Sequence, residues 1–276
     1  MRRNIMLTLA YDGTNYCGWQ VQPDSLSIQE CVERATEQLT GTRSRVLSAS
    51  RTDSGVHALG QVASFVTEST IPIEQFRRGL QRFLPEDIAV VQSQQVSLEF
   101  HATYSAVRKR YRYLMYDGPI LPPFLKGRAL HSHRALRLAP MQAALSSLLG
   151  THDFRCFETQ YPNKATSVRT IMEVSMTRLP NWFPWTADHI WQPQNQRPHE
   201  APDAAVICFE IMADGFLYNM VRAIVGTLIR IGLEQEPPEH LAQVIESLDR
   251  RQAGNTVPPE GLYLVKVDYP EELLVC

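Results

Sequence analysis

The segment Ser50-Arg51-Thr52-Asp53-Ser54-Gly55-Val56-His57-Ala58 is the most unusual in the chain, polar and densely functional between two apolar runs. It presents a carboxylate, a guanidinium and an imidazole on what reads as a loop held by a rigid scaffold, a common home for catalysis. Gly55 permits a turn with positive φ. An ordinary turn, in which Asp53 hydrogen-bonds its own backbone, fits the same residues. Elsewhere, Arg222 stands inside the most apolar stretch, Met220 to Leu233. A buried arginine there needs a partner. Tyr111 and Tyr113 project from one face of an alternating segment, and Arg110 and Arg112 from the other.

No G-x-x-x-x-G-K-[ST] or G-x-G-x-x-G run occurs, so no nucleotide cofactor is indicated. The five cysteines (Cys17, Cys31, Cys156, Cys208, Cys276) are scattered, with no C-x-x-C pair. They read as free thiols of a reducing cytoplasm rather than zinc ligands. The N-terminus runs straight into a strand pattern, so no signal peptide is read. No run of about 18 apolar residues is present, which argues against a membrane span.

The formal net charge is −2 over 276 residues, which does not announce a nucleic-acid binder. Its distribution says more. Residues 1–134 hold 16 Lys+Arg against 12 Asp+Glu, and residues 135–276 hold 11 against 17. Eight basic residues and one acid, Asp117, lie between His101 and Arg137. Arginine supplies 23 of the 27 basic residues, and its planar fork suits phosphates and bases. Such a stripe could hold RNA or be a solvated charged face.

The elements that must position these groups follow from periodicity. Asn4–Tyr11 reads as a strand. Ser27-Ile28-Gln29-Glu30 is a capping box ahead of a helix striped by Ile28, Cys31, Val32, Ala35 and Leu39. Arg45–Ser50 and Gln61–Thr67 read as strands, Pro72 opens a helix, and Ile88–Val96 closes the unit. This is βαββαβ, the ferredoxin-like order. The order recurs in a strand at Lys109–Tyr116, a helix at Pro140–Leu149 and strands at Val168–Thr177 and Ala205–Met212. A helix at Phe216–Gly232, another at Glu239–Leu248 and a strand at Leu262–Val267 complete it. The expectation is an α+β chain of two ferredoxin-like units, residues 1–105 and 106–276, with joined antiparallel sheets and a central cleft. The segment 179–203, with Trp182, Trp185 and Trp191, reads as an insertion; loops this long are usually functional or disordered.

Arg51-Thr52-Asp53-Ser54-Gly55-Val56-His57-Ala58 resembles the catalytic loop of the tRNA pseudouridine synthase A family, G-R-T-D-x-G-V-H, with Ser50 in place of the usual glycine. Further blocks agree in order. They are Tyr11 to Gln20, Phe100-His101-Ala102, Lys109 to Tyr113, Asp153-Phe154, Arg169-Thr170-Ile171, Phe216 to Gly226 and Glu260 to Leu264. The resemblance covers nearly the whole chain; the clear departure is the long 179–203 segment.

What the resemblance implies is specific. The expected activity is isomerisation of uridines at tRNA positions 38, 39 and 40, in the anticodon stem-loop, with no cofactor. A pseudouridine synthase with another RNA target, or a non-catalytic RNA-binding protein, would carry much of the same pattern. Asp53 is the implied catalytic carboxylate, and Arg222 matches the helix arginine that pairs with it. A nearby cation favours the ionised carboxylate. Tyr111 best matches the aromatic residue that stacks on the target base, although Tyr113 shares its face and the two roles could be reversed. The target must leave its stack to reach Asp53, and Arg51 would then help hold the displaced nucleotide. His57 reads equally as an RNA contact or as a structural loop histidine. A cytoplasmic homodimer with tRNA across both subunits is implied as well.

Overall fold

The computed structural model describes residues 2–159, 166–179 and 206–275. The 179–203 segment thus lies almost wholly outside the described residues, with all three of its tryptophans. By contacts the chain divides into one unit of Met1–Tyr111 with Leu262–Cys276 and a second of Arg112–Gly261.

The first unit is built on β1 (Arg3–Tyr11), α1 (Ile28–Thr40), β2 (Leu47–Ser48), β3 (His57–Thr67), α2 (Ile73–Gln81) and β4 (Ile88–Val96). This is the expected βαββαβ order. Central β1 pairs antiparallel with β3 and with β4, and β2 pairs antiparallel with β3. Residues Ile5, Leu7 and Leu9 of β1 are fully buried, because alternate side chains face the helices. Ile28, Val32 and Ala35 of α1 and Phe76 and Leu80 of α2 meet that layer. Ser27 caps α1 by accepting the Glu30 amide hydrogen. Glu30 itself accepts from Arg34 one turn on, so the expected capping box is half used.

In the second unit β5 (Arg108–Tyr116) crosses the division. The short β6 (Leu130–His131) pairs in parallel with its end. Then come α3 (Leu138–Ala144), β7 (Gly150–Asp153), β8 (Val168–Leu179), β9 (Val206–Ala213), α4 (Met220–Gly232) and α5 (His240–Ser247). Strands β7, β8 and β9 form an antiparallel ladder. The sequence pattern starts the α4 helix at Phe216, four residues too early. Asn219 is left-handed, with φ 61°, and a helix cannot run through it.

The last strand, β10 (Leu262–Asp268), precedes a short α6 (Glu271–Leu274). A division after residue 105 assigns β10 to the second unit. Its contacts assign it to the first, because it pairs in parallel with β3 through Tyr263↔His57 and Leu264↔Ala58. The fold class is α+β with mostly antiparallel sheet, as the sequence pattern requires. Among the described residues no helix is long and apolar enough to cross a membrane. Cys17, Cys31, Cys156 and Cys208 are free thiols. Burial pushes Cys156 up to about 12 and Cys208 up to about 11, which keeps both as unreactive thiols.

Candidate active site

Asp53 sits in the connection between β2 and β3, and the connection is fixed at nearly every residue. The Ser50 amide donates to Gln61 Oε1, and Gln61 Nε2 donates to the Ser50 carbonyl at 2.7 Å. The Thr52 hydroxyl is 2.7 Å from the buried Tyr11 hydroxyl. The Thr52 carbonyl accepts from the Trp19 amide at 3.0 Å, and Asp53 forms a backbone bridge with Gly18. Ser54 Oγ donates to the Tyr16 carbonyl. The Val56 amide donates to the Asp53 carbonyl, closing a tight turn in which Gly55 has φ 77°, as its sequence position suggests. The chain carrying Gly18 must also approach closely. At φ 107°, an added Cβ there would sit 2.6 Å from the Thr52 carbonyl oxygen.

These contacts leave the Asp53 side chain half-buried and aimed by its backbone. Tyr111 lies beside it. The Tyr111 hydroxyl donates to Ser50 Oγ at 3.1 Å, and the ring is 8% exposed. Burial, with a smaller contribution from the Asp53 charge, pushes its phenol up to about 12. Tyr111 therefore stays a neutral hydrogen-bond donor at ordinary pH. A carboxylate next to a buried neutral phenol, on a loop without slack, can serve as a base or nucleophile toward a group placed between them.

His57 opens β3 and is 2% exposed. Its Nδ1 accepts the Gly13 amide hydrogen at 3.1 Å, and its ring stacks on Tyr263 with centroids 4.8 Å apart. Asp12 Oδ1 lies 3.2 Å from the same nitrogen. While Nδ1 accepts from Gly13 it has no proton for Asp12, so that approach is a true ion pair only in the protonated ring. Asp12 Oδ1 is meanwhile occupied by the Thr14 amide and hydroxyl. Of the two roles open to His57, its burial fits the structural one and leaves little surface for RNA. Arg51 is exposed at the edge of the loop, and among the described residues it makes no ion pair.

Tyr113 differs from Tyr111 despite sharing its face. It is fully buried, and its hydroxyl donates to the Pro258 carbonyl at 2.7 Å. Gly261 packs against the ring so closely that a Cβ would fall 2.7 Å away. These are the contacts of a core residue.

Arg222, in the first turn of α4, is half-buried. Its Nε donates to the Val257 carbonyl at 2.7 Å and its Nη1 to Asn219 Oδ1 at 2.8 Å. Asn219 Nδ2 in turn donates to Thr159 Oγ1. The guanidinium plane is thus set by two acceptors on the second unit.

The basic stripe is partly spent on intramolecular pairs. Arg108 pairs with Asp268 and Arg112 with Glu210, each at 2.7 Å. Pattern reading singled out the Asp53 segment but missed its supports, Tyr11, Gln61 and Gly18. Tyr11 and Gly18 stand in one of the quoted blocks, yet only the three-dimensional contacts reveal their roles. No group of three or more metal-type ligands occurs among the described residues.

A family model described as tRNA pseudouridine synthase matches residues 8–105 and 144–270. The chain is 45% identical over 267 residues to a protein of Acetivibrio thermocellus named tRNA pseudouridine synthase A, covering 97% of this chain and all of that one. It is 41% identical over 267 residues to tRNA pseudouridine synthase A 2 of Clostridium perfringens, with the same coverage. A Thermoanaerobacter tRNA pseudouridine synthase A is 39% identical over 267 residues, again at 97% and full coverage.

Proposed function

We propose a site and a target from one premise: this chain belongs to the tRNA pseudouridine synthase family. It is an isomerase that turns uridine of tRNA into pseudouridine. The N1–C1′ bond breaks, the base turns, and a C5–C1′ bond forms. The C5 proton leaves and N1 gains one, so atoms and electrons balance without an oxidant or a second substrate. The reaction itself calls for no redox cofactor.

Asp53 is the catalytic carboxylate of this proposal. The observation that carries it is the clamped loop, which presents one half-buried carboxylate beside the Tyr111 phenol. Asp53 must act ionised, whether it attacks C1′, attacks C6 of the base or removes a proton. Arg222, already oriented by Val257 and Asn219, is its cationic partner on the family pattern. Tyr111 stacks on the target base, and exposed Arg51 holds the displaced nucleotide or its phosphate. The target uridines are those at positions 38, 39 and 40 of the anticodon stem-loop. The working assembly is a cytoplasmic homodimer, since an anticodon stem-loop extends beyond one small site. Light scattering at micromolar concentration should give twice the chain mass of 31.4 kDa, and a monomer contradicts the dimer.

The test of the target is direct. Purified protein is incubated with unmodified tRNA carrying uridines at 38, 39 and 40, and pseudouridine is mapped by position. Conversion at those positions is expected. Conversion only elsewhere overturns the target, and no conversion in any tRNA overturns the reading.

A further inference from the structure

Tyr104 is 85% exposed, the most exposed of the large apolar side chains among the described residues. A single exposed aromatic is ordinary, but this one is held in place. It belongs to a turn closed by the Ser105 amide donating to the His101 carbonyl at 2.9 Å and the His101 amide donating to Ser105 Oγ at 3.1 Å. The Thr103 and Tyr104 amides both donate to His101 Nδ1, at 3.1 and 3.3 Å, which fixes the imidazole. Against that ring lies Tyr104, with centroids 4.3 Å apart and planes tilted by 36°. The base of the turn is anchored too. Asn4 Nδ2 donates to the Phe100 carbonyl and the Tyr269 hydroxyl to the Ala102 carbonyl. One face of the Tyr104 ring is therefore backed by a fixed histidine while most of the ring meets solvent.

The turn is also tied to the chain that leads into the catalytic loop. Thr103 Oγ1 donates to the Ser48 carbonyl at 2.6 Å, and Lys109 Nζ to the Ala49 carbonyl at 2.5 Å. Ser48 is five residues before Asp53, so at roughly 3.4 Å per residue it is at most about 17 Å away along the chain. That bound keeps the turn within reach of a nucleotide a few positions along the same strand. Exposed Arg51 lies in the same stretch of chain and suits its phosphates.

We propose that Tyr104, backed by His101, is a stacking platform for an unpaired base of the tRNA flanking the target uridine. The inference rests on the isomerase reading above and adds a positioning contact to it. A preformed aromatic face recognises any base through its π-surface. It would hold the substrate strand at a second point, so that the target nucleotide leaves its stack toward Asp53 rather than rotating freely.

The test combines kinetics with a stacking probe. An anticodon stem-loop RNA carries 2-aminopurine at one flanking loop position at a time. Bound to the unaltered protein, one position should show fluorescence quenched by stacking. Tyr104→Ala should relieve that quenching and lower kcat/KM by roughly 5- to 150-fold, mainly through KM. Tyr104→Phe should keep both signals, since the ring and not the hydroxyl does the stacking. His101→Ala should give a smaller loss of the same kind. Since Tyr104 is exposed, its replacement leaves the core intact. An active unaltered protein with unchanged KM in Tyr104→Ala overturns the platform and leaves the isomerase reading standing. An inactive unaltered protein contradicts that reading instead. A changed oligomeric state in Tyr104→Ala with unchanged RNA affinity also overturns the platform, by making Tyr104 a subunit contact.

Discussion

In the Asp53 loop nearly every residue has its own partner, and the load is spread over Tyr11, Tyr16, Gly18, Trp19 and Gln61. At the start of α4 the geometry is concentrated instead, with the Arg222 guanidinium steered by Val257 and by Asn219, a left-handed residue held by Thr159. The difference teaches where each segment is vulnerable. A shared load tolerates the loss of one side-chain contact but not a shift of the backbone that all the contacts grip. A concentrated one depends on single side chains.

The largest effect should therefore come from the backbone of the loop. Gly18→Ala must find room 2.6 Å from the Thr52 carbonyl at a positive φ. A cost of about 3 kcal/mol in stability is expected from strain and overpacking together, measured by denaturant unfolding, with activity falling alongside. Next comes the helix. Arg222→Met should lower single-turnover pseudouridine formation by about 100-fold, the scale of losing one electrostatic partner at a reacting site. A fall of less than about threefold would remove Arg222 from the chemistry, since that is below 1 kcal/mol.

The two tyrosines of β5 sharpen the same contrast. Tyr113→Phe should cost about 1–3 kcal/mol of stability by stranding the Pro258 carbonyl, and should leave the catalytic rate of the folded protein alone. Tyr111→Phe should cost less stability, because its bond to Ser50, at 3.1 Å, is longer than the 2.7 Å bond of Tyr113. It should also change the alkaline limb of stability. With its phenol raised from 10.0 to about 12, Tyr111 contributes stability that is present below about 10 and lost as pH climbs through about 12. Thermal unfolding of Tyr111→Phe across that window should be flatter than that of the parent. Smallest of all, Ser54→Ala removes one prop of a shared set and should cost about 1 kcal/mol or less. A larger loss, read by the same unfolding assay, would mean that the loop's support is not distributed.

These contrasts also mark what the amino-acid pattern could tell. The first βαββαβ unit was legible because apolar runs of strand length and helical stripes with a period of about 3.6 succeed one another from β1 to β4. The polar Asp53 segment stood out against those apolar strands. Tyr111 and Tyr113 were not separable by pattern, since alternation gives both the same face. Three-dimensional contacts, to Ser50 for one and to Pro258 and Gly261 for the other, tell them apart. The early start assigned to α4 has a similar cause. Its apolar stripe begins before the helix, and nothing in composition announces a left-handed Asn219. The pairing of β10 with β3 joins residues about 200 positions apart, beyond the reach of any local signal. His57 read equally as an RNA contact or a structural histidine, and nothing in the local pattern announces its burial.

The central claim is that the Asp53 carboxylate does the chemistry. Asp53→Asn keeps the shape of the side chain and removes its charge. Pseudouridine formed by this variant should be measured under single-turnover conditions on an anticodon stem-loop RNA, alongside RNA affinity and thermal unfolding. No product above the uncatalysed background is expected, with affinity and unfolding near those of the parent. Product formed by a folded Asp53→Asn protein at a rate close to the parent's would contradict the account.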